Sequence, residues 1–334
     1  MDDVMGSEGD WAERVRRFVN EYDEQANRRP LIHPDNFDLF VETRTVASWR
    51  QFQEVFGPFF QQRSWVFRGH HNSAYRLETA LERACCRTFR LTGDPLDFGP
   101  TRALWMPNKF ERDLLLQFQR RAHQYIQNPP HDSAVLDWLA LMQHHGVPTR
   151  LLDWTFSPYV ALYFAFENSR PDTDCALWAV DTDWITKEAH ETLRKDSRFP
   201  KAPNVRAFND YLDRVLFDDT NPNVIVMVNP IKMNDRTAAQ QGVFLYDLSH
   251  TGAFDLPLLQ MLVMPALPTS PVIWKFIIKP AERVRFLREL NRMNIHAASL
   301  FPGLDGFARS LKLNLEVEID GRLRAANLEQ LSGG

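Results

Sequence analysis

The densest group of chemistry-bearing side chains in this sequence is Gln143, His144, His145, Thr149, Arg150, Asp153, Thr155 and Ser157, all inside the stretch Trp138–Phe166. Apolar residues recur three and four apart on either side of it, at Leu136, Leu139 and Ala140 and again at Val160, Ala161, Phe164 and Ala165, the spacing of buried helix faces. Gly146 and Pro148 break the first helix, and Ser157-Pro158 starts the second as an N-cap followed by proline. The expectation is helix, short polar linker, helix. A linker pinned at both ends holds a guanidinium, a carboxylate and two hydroxyls in one geometry, which a binding or catalytic site requires.

A second candidate is Arg68-Gly69, at the end of the strand-forming run Trp65, Val66, Phe67. A strand fixes the arginine and glycine admits a ligand closely, so the pair suits an anion; the plainer alternative is an arginine paired with a surface carboxylate. His70-His71 and His144-His145 are adjacent pairs, so one member of each can reach a site but not readily both. No accompanying cysteine or carboxylate pattern makes them a metal centre. The sequence has no Gly-rich phosphate loop, dinucleotide fingerprint or nucleophile elbow. Gln240-Gln241-Gly242 precedes a strand, where an amide can hold a hydroxyl or base edge, or cap its own backbone.

Other elements must position these residues. An amphipathic helix carries Trp11, Val15, Phe18 and Val19 on one face. A strand over 40–46 leads to a helix capped by Ser48. A helix over 109–126 buries Phe110, Leu114, Leu115, Phe118 and Ala122. Residues 90–108 read as a loop. Strands follow at 175–181, 224–228, 243–246 and 274–278, then a helix over 282–294 and a short last helix after Pro302, Gly303 and Gly306. With helices dominating the first half and strands the second, the class is α+β. The organisation is a helical extension over 1–40, one domain over 41–312 and a peripheral tail over 313–334.

Composition narrows the function. Of 334 residues, 44% are hydrophobic and 25% charged, and the net charge is -4, so no global basic field exists to hold nucleic acid. Three cysteines do not build a disulfide framework; with no transmembrane run and no secretory signal, a cytoplasmic setting is expected.

Phe67-Arg68-Gly69, residues 143–166, AQQGVF at 239–244 and LFPGLDG at 300–306 resemble the hallmark blocks of the FRG domain family, over about residues 45–312. WTFSPYVALYFA, with Arg68 before it, has a more distant resemblance to mono-ADP-ribosyltransferases of the arginine–serine–glutamate type. That resemblance implies an ADP-ribosyltransferase-like mixed or antiparallel sheet and an NAD pocket. In it, Arg68 holds the pyrophosphate, and Thr155 and Ser157 hold the nicotinamide ribose and orient Arg68. The nucleotide-binding set is then Arg68, Gly69, His144, Arg150, Thr155 and Ser157, and the catalytic pair Asp153 and Gln241. Gln240 and Gln241 stand where such enzymes carry glutamate, and an amide cannot neutralise a developing sugar cation as a carboxylate does. Asp153, Glu111 and Asp305 are the candidate substitutes, Asp153 foremost. The resemblances imply ADP-ribosyl transfer or NAD cleavage by a toxin or phage-defence effector with a protein acceptor or regulator. The alternative is a non-catalytic nucleotide- or protein-binding module.

Overall fold

The computed structural model describes residues 8–24, 30–61, 64–92, 107–170, 172–231, 234–249, 252–264 and 266–332. The expected loop over 90–108 falls largely outside them. The helices are α1 (Glu8–Glu21), α2 (Trp49–Gln61), α3 (Ala80–Thr92), α4 (Pro107–Ala122), α5 (Val135–His144), α6 (Pro158–Glu167), α7 (Thr182–Leu193), α8 (Val205–Val215), α9 (Asp235–Ala239), α10 (Asp255–Val263), α11 (Arg283–Arg292), α12 (Ala297–Leu300) and α13 (Leu304–Ser332). The strands are β1 (Glu42–Val46), β2 (Trp65–His70), β3 (Leu151–Thr155), β4 (Cys175–Asp181), β5 (Ile225–Val228), β6 (Gly242–Asp247) and β7 (Ile273–Ile278).

The strands form one seven-stranded mixed sheet in the order β1-β7-β4-β2-β3-β6-β5. β1 joins β7 in parallel, and the other pairings are antiparallel. The α+β class is therefore present. Helices, however, run through both halves of the chain: α7, α8 and α10 lie where mainly strands were expected.

Period-2 alternation in β2 and β4 feeds two apolar layers. Val66, Trp178 and Val180 pack with α1, α4, α5, α7, α8 and α10 on one face. Trp65, Phe67, Leu177 and Ala179 pack with α2, α6, α11, α12 and α13 on the other.

Three expectations need correction. The polar linker over 150–156 contains a strand, β3, because Leu151, Leu152 and Trp154 are buried against the first apolar layer. In α4 the buried side includes Glu111, while Phe110 is exposed. The last helix is long, and residues 313–332 continue it.

Candidate functional site

Arg68 sits in the interior of β2, with Trp178 of β4 directly opposite, and Trp178 lies opposite Lys275 of β7. Directly opposed residues of an antiparallel ladder project from the same face. Lys275, Trp178 and Arg68 thus form a row across one side of the sheet, with the Lys275 ammonium 4.8 Å from the Trp178 ring centroid. His70, two residues on from Arg68, shares this face, and its Nε2 accepts from Arg68 Nε at 3.1 Å. Arg68 Nη1 donates to the Asp153 backbone carbonyl at 2.6 Å. β2 and β3 pair through the single register pair Phe67–Thr155, so this guanidinium takes a carbonyl that a longer ladder would have used.

The electrostatics follow from that packing. Burial pushes the Arg68 guanidinium down to about 10; Asp153 opposes the shift and Arg83 reinforces it. It stays cationic at neutral pH. His70 is pushed down to about 3, first by burial and then by the Arg68 charge, with Arg83 and Lys275 adding and the Tyr75 backbone opposing. A neutral imidazole with Nε2 free of a proton is the acceptor that orients Arg68. Arg68 forms no ion pair among the described residues, and its outer Nη2 carries no hydrogen bond there, although part of the side chain remains open.

Asp153 is exposed and turns its carboxylate to Gln143, whose Nε2 donates at 2.9 Å and also reaches the Leu151 carbonyl at 3.2 Å. Thr149 in turn donates to Gln143 Oε1. The carboxylate therefore stands near Arg68 without neutralising it by contact. His144, at the end of α5, is half-buried; burial lowers its pKa, with His145 and Arg236 adding.

The remaining expected residues serve the fold. Thr155 Oγ1 donates to the Gln240 carbonyl at 2.7 Å and accepts from the Ser157 backbone N–H at 3.0 Å. Ser157 Oγ caps α6 by accepting from Val160 N–H at 3.3 Å. Because Phe67 is opposite Thr155, the threonine shares the face of Phe67, and the Arg68 side chain leaves from the other face. The expected Arg68–Thr155–Ser157 cluster is not formed.

Gly69 also faces α6. A Cβ there would collide with the Ala161 carbonyl oxygen and the Ala165 nitrogen, so this glycine admits a helix rather than a ligand. Gln241 occupies the left-handed region at φ 48° with its side chain exposed, and its carbonyl accepts from Phe156 N–H at 3.0 Å. Gln240 donates to the Leu300 carbonyl at 3.0 Å. The Gln-Gln-Gly block is thus a turn that ties β6 to β3 and α12.

Arg150 is corrected as well. Its side chain is 3% exposed and pairs at 2.9 Å with Glu111, whose side chain is fully buried. It also donates to the carbonyls of Asp247, Ser249 and Leu216. Tyr246 completes the knot, its hydroxyl donating to Glu111 at 2.7 Å. This is an internal ion pair, which removes both Arg150 and Glu111 from the candidate site. Asp305 is exposed in the first turn of α13.

Residues 63–174 match the family model of the FRG domain. This segment runs from the start of β2 through α6 and includes Arg68, His70, Gln143 and Asp153. The 239–244 and 300–306 blocks lie outside it. No curated protein and no solved structure matches the chain, so the likeness to ADP-ribosyltransferases rests on the sequence alone. Among the described residues, no helix is long and apolar enough to cross a membrane.

His70, which holds Arg68 Nε, stands in the sequence only as one of an adjacent histidine pair, either of which could reach a site. The signal was present: Arg68 and His70 are two apart on a strand, and alternate strand residues share a face.

Proposed function

We propose that the FRG segment binds a phosphate-bearing nucleotide through Arg68. The supporting observation is the state of that guanidinium: anchored at Nε and Nη1, cationic, beside a second cation in Arg83, and without an ion pair among the described residues. A fixed, partly desolvated guanidinium edge presents paired donors to phosphate oxygens at little ordering cost. Isothermal titration with NAD, ADP and inorganic pyrophosphate tests this. Saturable binding lost in Arg68→Ala and weakened in Arg68→Lys is expected. Equal binding by wild type and Arg68→Ala would refute it.

The enzymatic form of this reading is NAD cleavage or ADP-ribosyl transfer, and Asp153 favours it. Asp153, whose carboxylate is held by Gln143 and whose charge acts on Arg68, would stabilise positive charge on the ribose as the C1′–N1 bond breaks and nicotinamide leaves with the electron pair. Water or an acceptor nucleophile then bonds to C1′ and loses a proton. The non-catalytic form draws support from Thr155 and Ser157, whose hydroxyls are committed to backbone groups. Nicotinamide release from NAD, abolished by Asp153→Asn while NAD binding persists, selects the enzyme. Binding without release selects the module.

A further inference from the structure

A cavity of about 300 Å³ lies over β4 and β7, between the sheet, the 3₁₀ helix Pro34–Phe40, residues 74–77 and the start of α10. It is not the Arg68 site. Arg68 reaches from β2 to the Asp153 carbonyl on β3, and β3 lies on the far side of β2 from β4. Arg68, Gln143 and Asp153 do not line the cavity. Its volume is at the small end of ligand pockets, which run to about 300–1,000 Å³.

The polar groups that line it are of two opposite kinds, and among the described residues both are short of partners. On the sheet side, the Lys275 ammonium makes no hydrogen bond; its ion-pair partner Asp38 stands 3.9 Å away with a side chain 72% exposed. Trp178, whose ring lies under that ammonium, is buried, and its Nε1 donor has no partner. On the α10 side, Asp255 is buried. Arg76 engages its Oδ2 through Nε and Nη2, while Oδ1 has no hydrogen-bond partner. Burial pushes this carboxyl up to about 6, with Arg76 opposing, so it is ionised at neutral pH. Buried polar groups are ordinarily satisfied, and a cavity edged by an unpaired donor and an unpaired acceptor calls for a ligand that supplies both. Phe37, Leu77 and the Tyr75 ring supply apolar wall.

We propose that this cavity binds a free α-amino acid with an apolar side chain. The ligand carboxylate takes the Lys275 ammonium in place of the distant, exposed Asp38. The ligand ammonium takes Asp255 Oδ1, and the side chain packs against Phe37 and Leu77. A zwitterion fits better than an ion of either sign: Arg76 and Lys275 repel a lone cation, and Asp35, Asp38 and Asp255 repel a lone anion.

Titration calorimetry of the full chain with L-phenylalanine and L-leucine tests the proposal, each beside its des-amino acid and its decarboxylated amine. Saturable binding of an amino acid is expected, with both truncated analogues about tenfold weaker or more, as loss of one charge-assisted contact requires. Lys275→Met keeps an apolar stem over Trp178 and removes the charge. Ala74→Trp, at an exposed lining position, puts an indole into the cavity and leaves every charge in place. Each variant should melt as the wild type does and lose amino-acid affinity by about tenfold or more. A wild type that binds neither amino acid, an analogue that binds as tightly as its parent, or undiminished affinity in either folded variant would each overturn the proposal.

Discussion

Phe67, and not Arg68, lies opposite Thr155 in the β2–β3 pair. That one register relationship sends the arginine and the hydroxyl to different faces of the sheet and gives them different work. Thr155 should therefore behave as a structural residue. Thr155→Val leaves the Gln240 carbonyl without its donor and the Ser157 N–H without its acceptor, and should cost about 1–3 kcal/mol of stability. Nucleotide affinity should change little, and Thr155→Ser should restore stability. Urea melts and titration calorimetry on the same preparations separate the two effects. A large affinity loss in a stable Thr155→Val protein would put the hydroxyl back in the site.

Gly69 and Gly57 make a matched pair. Gly69→Ala forces a methyl group into the backbone of α6, and neither strand nor helix can move without disturbing the apolar layer they share. A loss of about 3 kcal/mol or more is expected, at the upper end of overpacking effects. Gly57 lies within α2, where a Cβ meets nothing within 4 Å. Gly57→Ala should stabilise by about 0.5–1 kcal/mol through helix propensity. Thermal melts that rank the two variants otherwise would refute the packing account of the FRG glycine.

These cases show which features the sequence could carry. Apolar periodicity located β2, β4, β7 and the N-terminal helix because burial leaves a repeating trace. The helix start at Ser157-Pro158 was legible because a cap is a local event. Which strand residue opposes which is set by tertiary register, and a one-residue difference reverses a side chain's face. So Arg68, Thr155 and Ser157 could be picked out but not placed. Glu111 was misassigned for a related reason: a carboxylate on an otherwise apolar helix face can be taken for a catalytic substitute until its buried partner, Arg150, is known. β3 was missed because its short run of Leu151, Leu152 and Trp154 sits among polar residues that resemble a loop.

His70 predicts a pH dependence. Its folded value, about 3, lies below the ordinary 6.5. Between those limits the unfolded chain binds a proton that the folded chain refuses, so this residue's contribution is present above pH 6.5 and is lost as pH falls toward 3. His70→Gln keeps an acceptor for Arg68 but removes the titration. Other acids and bases also titrate in this window, so the informative quantity is wild type minus variant. The stability lost between pH 7 and 4.5 should be smaller in His70→Gln by roughly 2–3 kcal/mol. Parallel pH profiles from urea melts would contradict a neutral buried His70.

The Arg150–Glu111 pair gives the clearest separation between fold and site. Glu111→Leu alone leaves a guanidinium buried without its counter-ion and should cost about 3–5 kcal/mol. Adding Arg150→Met removes the stranded charge and should recover part of that loss. Recovery stays partial because the Tyr246 hydroxyl and the carbonyls of Asp247, Ser249 and Leu216 lose partners. At a temperature where the double variant is folded, its nucleotide affinity should match wild type, since the pair is buried and Arg68 is held by His70 and the Asp153 carbonyl instead. Calorimetry on that double variant is decisive: a folded protein that no longer binds nucleotide would return Arg150 to the binding site.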